Sequence, residues 1–494
     1  MEEQSQVKKP AANIIDGAIV VVLFLFAASA PNSIAATQIA WLLGMVLWLA
    51  RFALQPHPRT YRTPVDYALL GFFILTSLSV LFSYEPLVSL GKLRGASLFT
   101  IVYLFAENVP SLRVVRLLAL TLICACMLNV LFTIGERLLG RAVKVHQLSE
   151  KSSLYKSGIR DGDTLLEVDG QKLRDPQELL NALSSPETKP ANIHVYRHEW
   201  QPTFKVPRGT AMPGSSALEQ LGIGSWSRGR DWRAAGFYGH YVTYAEVLQL
   251  IIALTLGMFV SLTTKRSRIG VALFIGLAAL GFALLLTVTR ASWLGCMVSS
   301  AVILMLGIGR RKMIIVAMLA IPLILGGLFL LQQKRNVGFL DQKDNSTTWR
   351  QTVWTEGTAL LISQPRHLLV GIGMDSMKAH WKEWGMFDQG RLPRGHMHSN
   401  FLQIALERGL PALILWLVFL FIYARTLWRS LRSTRKLHWM EHGILLGGLG
   451  GLAGFFTSGV VHYNWGDSEV VMVFYFIMGL SLAIHREIVQ VVRG

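Results

Sequence analysis

The chain has 494 residues, 52% of them hydrophobic and only 16% charged, and its mean hydropathy is +0.41. That balance excludes an ordinary soluble globular protein of this size. The formal net charge of +18 raises nucleic acid as a partner, but most Lys and Arg lie in short loops between apolar runs. Membrane topology accounts for them there, and no nucleic-acid partner is implied.

Apolar runs recur along the chain, each long enough to cross roughly 30 Å of hydrocarbon. The chain is read as mainly α, a polytopic helical membrane protein. About twelve spans are expected, at roughly 14–30, 34–54, 65–83, 93–107, 113–134, 237–260, 268–288, 291–309, 313–332, 409–426, 440–461 and 468–485. Two long polar segments interrupt them. The organisation expected is helices one to five in 1–139, a small α/β insert and linker in 140–235, helices six to nine in 236–332, a large polar loop in 333–408 and helices ten to twelve in 409–494. The first apolar run has no convincing cleavage site after it and is read as a retained span. Cys124, Cys126 and Cys296 lie in apolar spans without redox or zinc spacing, and are read as packing residues.

Charge orients the spans. Arg51, Arg59 and Arg62, then Arg113 and Arg116, Lys265, Arg266 and Arg268, Arg310, Arg311 and Lys312, and the group from Arg425 to Lys436 all fall on one face of the twelve-span arrangement, with Arg486 and Arg493 in the tail. The loops at 31–34, 84–92 and 462–467 are poor in basic residues. By the positive-inside rule both termini are expected in the cytoplasm and both long polar segments on the opposite face.

In the first long segment, Ser157 to Gly170 reads as turn, turn, strand, turn. Asp175 to Leu183 reads as a short helix with Pro176 in its first turn, and Ile193–Arg197 with Thr203–Val206 as two strands of a hairpin. Over about 70 residues this segment resembles a bacterial PDZ domain, with Ser157 where alanine is usual. The resemblance implies capture of an extended peptide C-terminus by strand addition, with Leu221, Gly222 and Ile223 the candidates for the carboxylate loop; the alternative is a spacer. Asp161-Gly-Asp163 matches a metal-binding DxD only formally, because it forms the turn that closes a strand.

The remaining polar groups cluster where spans meet the outer face. Arg233 stands at the mouth of the sixth span and Glu246 about a turn inside, where an ionisable group is costly; a satisfied interhelical hydrogen bond is the competing reading. Thr287-Val-Thr-Arg290 joins the seventh and eighth spans with almost no turn, so Arg290 sits at the rim. It either snorkels to headgroups or grips an anion, since a planar guanidinium suits a diphosphate attached to a lipid. The second long segment carries Arg350, Arg394, five tryptophans and phenylalanines that suit carbohydrate, and His367, His380, His396 and His398. His396 and His398 would share a face if extended, but no third ligand has metal-site spacing and no HExxH occurs. One of them is read as a general base, because an imidazole titrates near working pH.

Together these pieces resemble the O-antigen ligase and O-antigen polymerase superfamily. His398-Ser399, nine residues and Gly409 fit the ligase signature, with Ala412 where Gly, Thr or Tyr is usual. Thr287–Arg290 is similar to the family's Thr-x-Ser-Arg junction, and the stretch from Arg233 to Tyr241 to its arginine-led run into a span, without the usual Pro-Asn. The resemblance implies a membrane-embedded glycosyltransferase in the bacterial inner membrane. The donor would be an undecaprenyl-diphosphate-linked glycan, with Arg290 and Arg233 on its diphosphate. His398 would take the proton of an acceptor hydroxyl on a lipid A-core sugar, with Arg350, Arg394, His396 and Glu246 in support. Neither a metal nor any other cofactor would be needed. A polymerase and an O-linked protein glycosyltransferase of the same superfamily stay open. An intramembrane protease is disfavoured by the missing HExxH and GxSG motifs, and a transporter by the lack of similarity between halves.

Overall fold

The computed structural model describes residues 10–58, 60–197, 201–309, 311 and 345–493. The chain divides into two compact units: a larger one within 1–129, 237–284 and 289–494, and a smaller one of 130–236 with 285–288.

The chain begins with helices α1 (Pro10–Ser29), α2 (Ile34–Phe52), α3 (Asp66–Leu81), α4 (Pro86–Ala96), α5 (Thr100–Asn108) and α6 (Leu112–Leu139). The smaller unit then supplies β1 (Arg141–Leu148), α7 (Ser153–Lys156), β2 (Thr164–Val168), β3 (Gln171–Lys172), α8 (Pro176–Leu183), β4 (Ala191–Tyr196), β5 (Thr203–Val206), α9 (Ala217–Leu221) and β6 (Ile223–Gly229). Helices resume as α10 (Tyr241–Ser261), α11 (Arg268–Leu286) and α12 (Arg290–Gly307). After them come α13 (Asn345–Ile362), α14 (Pro365–Val370), α15 (Met377–His380), α16 (Asn400–Arg408), α17 (Leu410–Leu431), α18 (Trp439–Ser458) and α19 (Ser468–Arg493).

Among the described residues nine helices are long and apolar enough to cross a membrane: Ala11–Ser29, Ile34–Phe52, Pro86–Asn108, Leu112–Leu139, Tyr241–Ser261, Arg268–Leu286, Arg290–Gly307, Leu410–Leu431 and Ser468–Gln490. The chain is a polytopic helical membrane protein. The difference from about twelve has physical reasons. At 16 residues α3 reaches only about 24 Å at 1.5 Å per residue. The α18 helix has the length, but glycine occupies positions where other spans carry Leu or Val. The expected span at 313–332, the loop start at 333–344 and the basic residues Arg59, Arg310 and Lys312 lie outside the described residues.

Those glycines have a packing use. A Cβ on Gly443 would lie 2.5 Å from the Met258 Cα, and one on Gly447 2.7 Å from the Leu254 Cα. Helices α10 and α18 therefore meet backbone to backbone, as small residues spaced four apart allow in lipid. This close seam sets the C-terminal half of α10 against the start of α18.

The loop before α17 is largely helical and has its own apolar core, including Val353, Ile372, Met377, Phe387, Met397 and Leu406. One turn in it is left-handed: Phe387, Asp388 and Gln389 have φ of 60, 49 and 54°. Each such residue costs roughly 1–2 kcal/mol. Glu356 offsets this by accepting the backbone N–H groups of Phe387 at 2.7 Å and Asp388 at 2.9 Å.

In the smaller unit the strand order is β5-β4-β2-β1-β6, with β3 on β2. All pairings are antiparallel; β4 pairs β5 through Ile193 with Phe204, and β1 pairs β6 through Val145 with Trp226. Alternation along β1 and β4 sends Val143, Val145, Ile193 and Val195 into one core with Leu165, Leu179 and Leu183. Asp175 caps α8 by accepting the Glu178 N–H, with Pro176 in the first turn. Asp163 is 2% exposed. It accepts from Arg197 Nε at 2.7 Å, Arg197 Nη2 at 2.6 Å and the Arg160 N–H at 2.7 Å.

Candidate functional site

A cavity of about 530 Å³ lies within the larger unit. Helix α4 contributes Lys92 and Arg94 to its wall, and α10 contributes Thr243 and Glu246, with His240 just before it. The loop around α15 and α16 brings Asp375, Lys378, His396, His398, Gln403, Glu407 and Arg408, and the segment after α18 brings His462, Tyr463, Asn464 and Asp467.

His396 and His398 flank Met397, which is fully buried in the loop core. The two rings stand 4.1 Å apart. The segment is held from several sides. Trp354 Nε1 donates to the Met397 carbonyl at 2.7 Å, and the Met397 N–H to Gln403 Oε1 at 2.6 Å. The His398 N–H donates to His396 Nδ1 at 3.2 Å, which in a neutral ring leaves the His396 proton on Nε2. His398 has a φ of 46°, a conformation that costs about 1–3 kcal/mol and persists only where its surroundings dictate it. Burial, then the His462 and Lys378 charges, pushes His396 down to about 4. Burial also pushes His398 down, to about 2, with His396, Arg350 and His462 adding to it. Both imidazoles are therefore neutral at neutral pH.

Asn400 joins this segment to the one after α18. Its N–H donates to the Gly459 carbonyl at 2.8 Å, its Oδ1 accepts the Trp465 N–H at 3.0 Å, and its Nδ2 donates to Asn464 Oδ1 at 2.5 Å. The junction brings the His462 ring to 6.5 Å from that of His398. His462 Nδ1 donates to Glu246 Oε1 at 2.7 Å, and Glu246 is 2% exposed. Its Oε2 is buried without a hydrogen-bond partner.

Below the histidines, Glu407 accepts from the Asp375 N–H at 2.9 Å, Gln403 Nε2 at 2.8 Å and the Tyr463 hydroxyl at 3.3 Å. Arg408 is also buried and lies 3.4 Å from the Tyr463 hydroxyl. Asp375 pairs with Lys378 at 2.8 Å and Lys92 at 3.1 Å. Burial alone would favour its neutral acid, but hydrogen bonds from these two lysines hold it below the usual carboxylate range. Ser83, Ser89 and Ser376 link their hydroxyls at 2.8 and 2.9 Å, fixing the start of α4 against this loop.

The structure thus places His398, His396 and Glu246 around one cavity. Trp349 meets the His398 ring edge-on at 4.7 Å, and its neighbour Arg350 acts on His398 through its charge without lining the cavity. Arg394 lies over Trp381 at 4.1 Å, exposed. Arg290 opens α12, half-buried and outside the cavity wall. Arg233 belongs to the smaller unit, where its guanidinium donates to the Thr287 carbonyl at 3.1 Å and to that of Val288. Leu221 and Ile223 are core residues of that unit at 3% exposure each, joined by Gly222 at a φ of 69°.

Sequence reasoning missed His462, Glu407, Arg408, Tyr463, Lys92 and Lys378. The polar run His462-Tyr-Asn-Trp-Gly-Asp467 between two apolar helices was a usable signal; the other residues carry no local mark. Among the described residues no group of three His, Cys, Asp or Glu side chains is placed to hold a metal ion.

No curated protein matches the chain. Residues 274–417 match the family model described as O-antigen ligase, Wzy_C. The matched stretch contains Arg290, Arg350, His396 and His398, and ends before His462. The match covers less than a third of the chain, and over that stretch the chain is similar to the O-antigen ligase family.

Proposed function

We propose that this protein transfers a glycan from undecaprenyl diphosphate to an acceptor hydroxyl on a lipid A-core sugar, at the periplasmic face of the bacterial inner membrane. The observation that carries the reading is the cavity in which His398, inside the family match, stands as a neutral imidazole among buried polar groups. In this reading both termini are cytoplasmic and both polar segments periplasmic.

His398 removes the acceptor proton as the oxygen attacks the anomeric carbon. In this reading Arg290 binds the diphosphate and stabilises the charge it carries away, with Arg233 the other candidate. Burial first, and then the Arg350 charge, keeps His398 neutral, and that charge also favours an anion nearby. Once a diphosphate arrives, its charge favours the imidazolium, so His398 becomes a stronger base when donor is bound. Lipid diphosphate is already a good leaving group, so the chemistry asks for no metal and no nucleotide sugar.

The smaller unit favours one alternative acceptor. Strand β6 ends the strand order and has β1 as its neighbour within the sheet, an edge of the kind that extended peptides join. We read the unit as PDZ-like, with the turn at Leu221, Gly222 and Ile223 as the candidate grip for a peptide C-terminus. A peptide-directed unit would suit an O-linked protein glycosyltransferase; a polymerase remains the other reading.

Deletion of the gene, complemented by wild type, His398→Ala and Arg290→Ala, tests the proposal. Full-length polymer accumulating on undecaprenyl diphosphate, with long glycan lost from lipid A-core in both variants, establishes a ligase. Accumulated single repeat units move the assignment to a polymerase. Unchanged glycans in both variants overturn the transferase reading.

A further inference from the structure

The cavity contains a second histidine arrangement that the family match does not reach. His462 lies between α18 and α19, and Glu246 lies one and a half turns into α10. They are 216 residues apart in sequence and 2.7 Å apart in space. Both are buried, at 7% and 2% exposure, and both line the wall that His398 lines. Nδ1 of His462 is committed to Glu246 Oε1, so the neutral ring presents Nε2 as an acceptor. A carboxylate that fixes one ring nitrogen both selects the tautomer and stabilises the imidazolium that forms. At 6.5 Å between ring centroids, one hydroxyl oxygen fits between the two imidazoles with a hydrogen bond to each.

We infer that His462, held by Glu246, is the group on which the acceptor's proton comes to rest, with His398 taking that proton from the hydroxyl during attack and passing it on. The inference rests on the transferase reading and deepens it. The acceptor O–H bond breaks as its oxygen forms the new bond to the anomeric carbon. The bond from that carbon to the diphosphate oxygen breaks, and its electron pair leaves with the diphosphate. The proton ends on His462 Nε2, where Glu246 balances its charge. His398 is the poorer final host, because it is buried beside His396 and Arg350 and no carboxylate bonds it among the described residues. Glu246 bonds the His462 ring, and His396 and His398 interact with it; His240, Lys378, Asp467 and Glu469 line the same wall.

The test uses the full chain in proteoliposomes, with undecaprenyl-diphosphate-linked glycan as donor and rough lipopolysaccharide as acceptor. His462→Ala should lower kcat about 10²–10⁴-fold with little change in KM, and added imidazole should restore part of it. Glu246→Gln keeps the size and an oxygen for the Nδ1–H but removes the charge. It should lower kcat at least about 10-fold and move the acid limb of its pH profile to lower pH, because an imidazolium without its carboxylate loses its proton more readily. A purely structural pair would leave Glu246→Gln at wild-type rate with an unmoved limb, and His462→Ala without rescue; that result overturns the inference. If His398→Ala abolishes transfer while both other variants keep it, the inference fails and the transferase reading stands. If none of the three changes transfer, the reading itself fails.

Discussion

Two carboxylates in this chain are each 2% exposed, Asp163 in the smaller unit and Glu246 at the cavity. Asp163 is saturated by both nitrogens of an arginine edge and by a backbone N–H. Glu246 has one oxygen on His462 and one without a partner. A buried charge with every lone pair occupied locks a turn to a strand and serves structure. A buried charge left incomplete contributes less to folding. The same burial therefore marks a structural pin in one region and a chemical group in the other, and hydrogen-bond completeness separates them.

The largest effect expected from breaking this contrast is at the pin. Arg197→Ala strands Asp163 as an uncompensated buried charge and should destabilise the smaller unit by about 3 kcal/mol. Hydrogen exchange across 141–229 should rise, and unchanged protection would show that the pair is ornamental. Glu246→Gln is the opposite case: exchange protection across 241–261 should change little while transfer falls by the factor given above. Loss of both together would return Glu246 to the structural class.

A smaller effect sharpens the comparison within the loop. Glu356→Gln removes the charge that holds the left-handed turn at 387–389, which should cost about 1–2 kcal/mol and make that turn the first site of limited proteolysis. Cleavage at wild-type rate would show that the loop core alone holds the turn.

The smallest effect concerns pH. His396 and His398 bind protons less readily folded than unfolded, where an imidazole titrates near 6.5. Below that value the unfolded chain takes up protons that the folded rings refuse, so stability falls as pH drops from about 6.5 toward about 4. The thermal midpoint should be lower at pH 5 than at pH 7, and a midpoint that rises on acidification contradicts buried neutral rings. Imidazole nitrogen shifts for these residues should stay those of neutral rings at pH 5.5.

What the sequence made legible follows the range of the interactions. Asp175 and Pro176 announce α8 because a cap is local, and the alternation in Ile193–Arg197 announces a strand because pleating is local. Strand β6 escaped notice because Ile-Gly-Ser-Trp-Ser-Arg-Gly has weak β character and takes its place from pairing with β1, some 80 residues earlier. Glu246 stood out because an acid in an apolar span is costly. His462 did not, since nothing near it in sequence reveals the carboxylate that gives it meaning. The glycines of α18, which lower its hydropathy, likewise have a reason visible only in α10.

That glycine seam has a consequence for genetics. The obstacles beside Gly443 and Gly447 are backbone atoms of α10, which cannot rotate away as a side chain would. A single methyl there must part the two helices, and with them the carboxylate on one and the imidazole that follows the other. In a survey of variants read by surface glycan alone, these glycines would be as intolerant as His398. Read by protein abundance as well, they would separate, the seam variants vanishing from the membrane and the histidine variants accumulating as intact, idle protein.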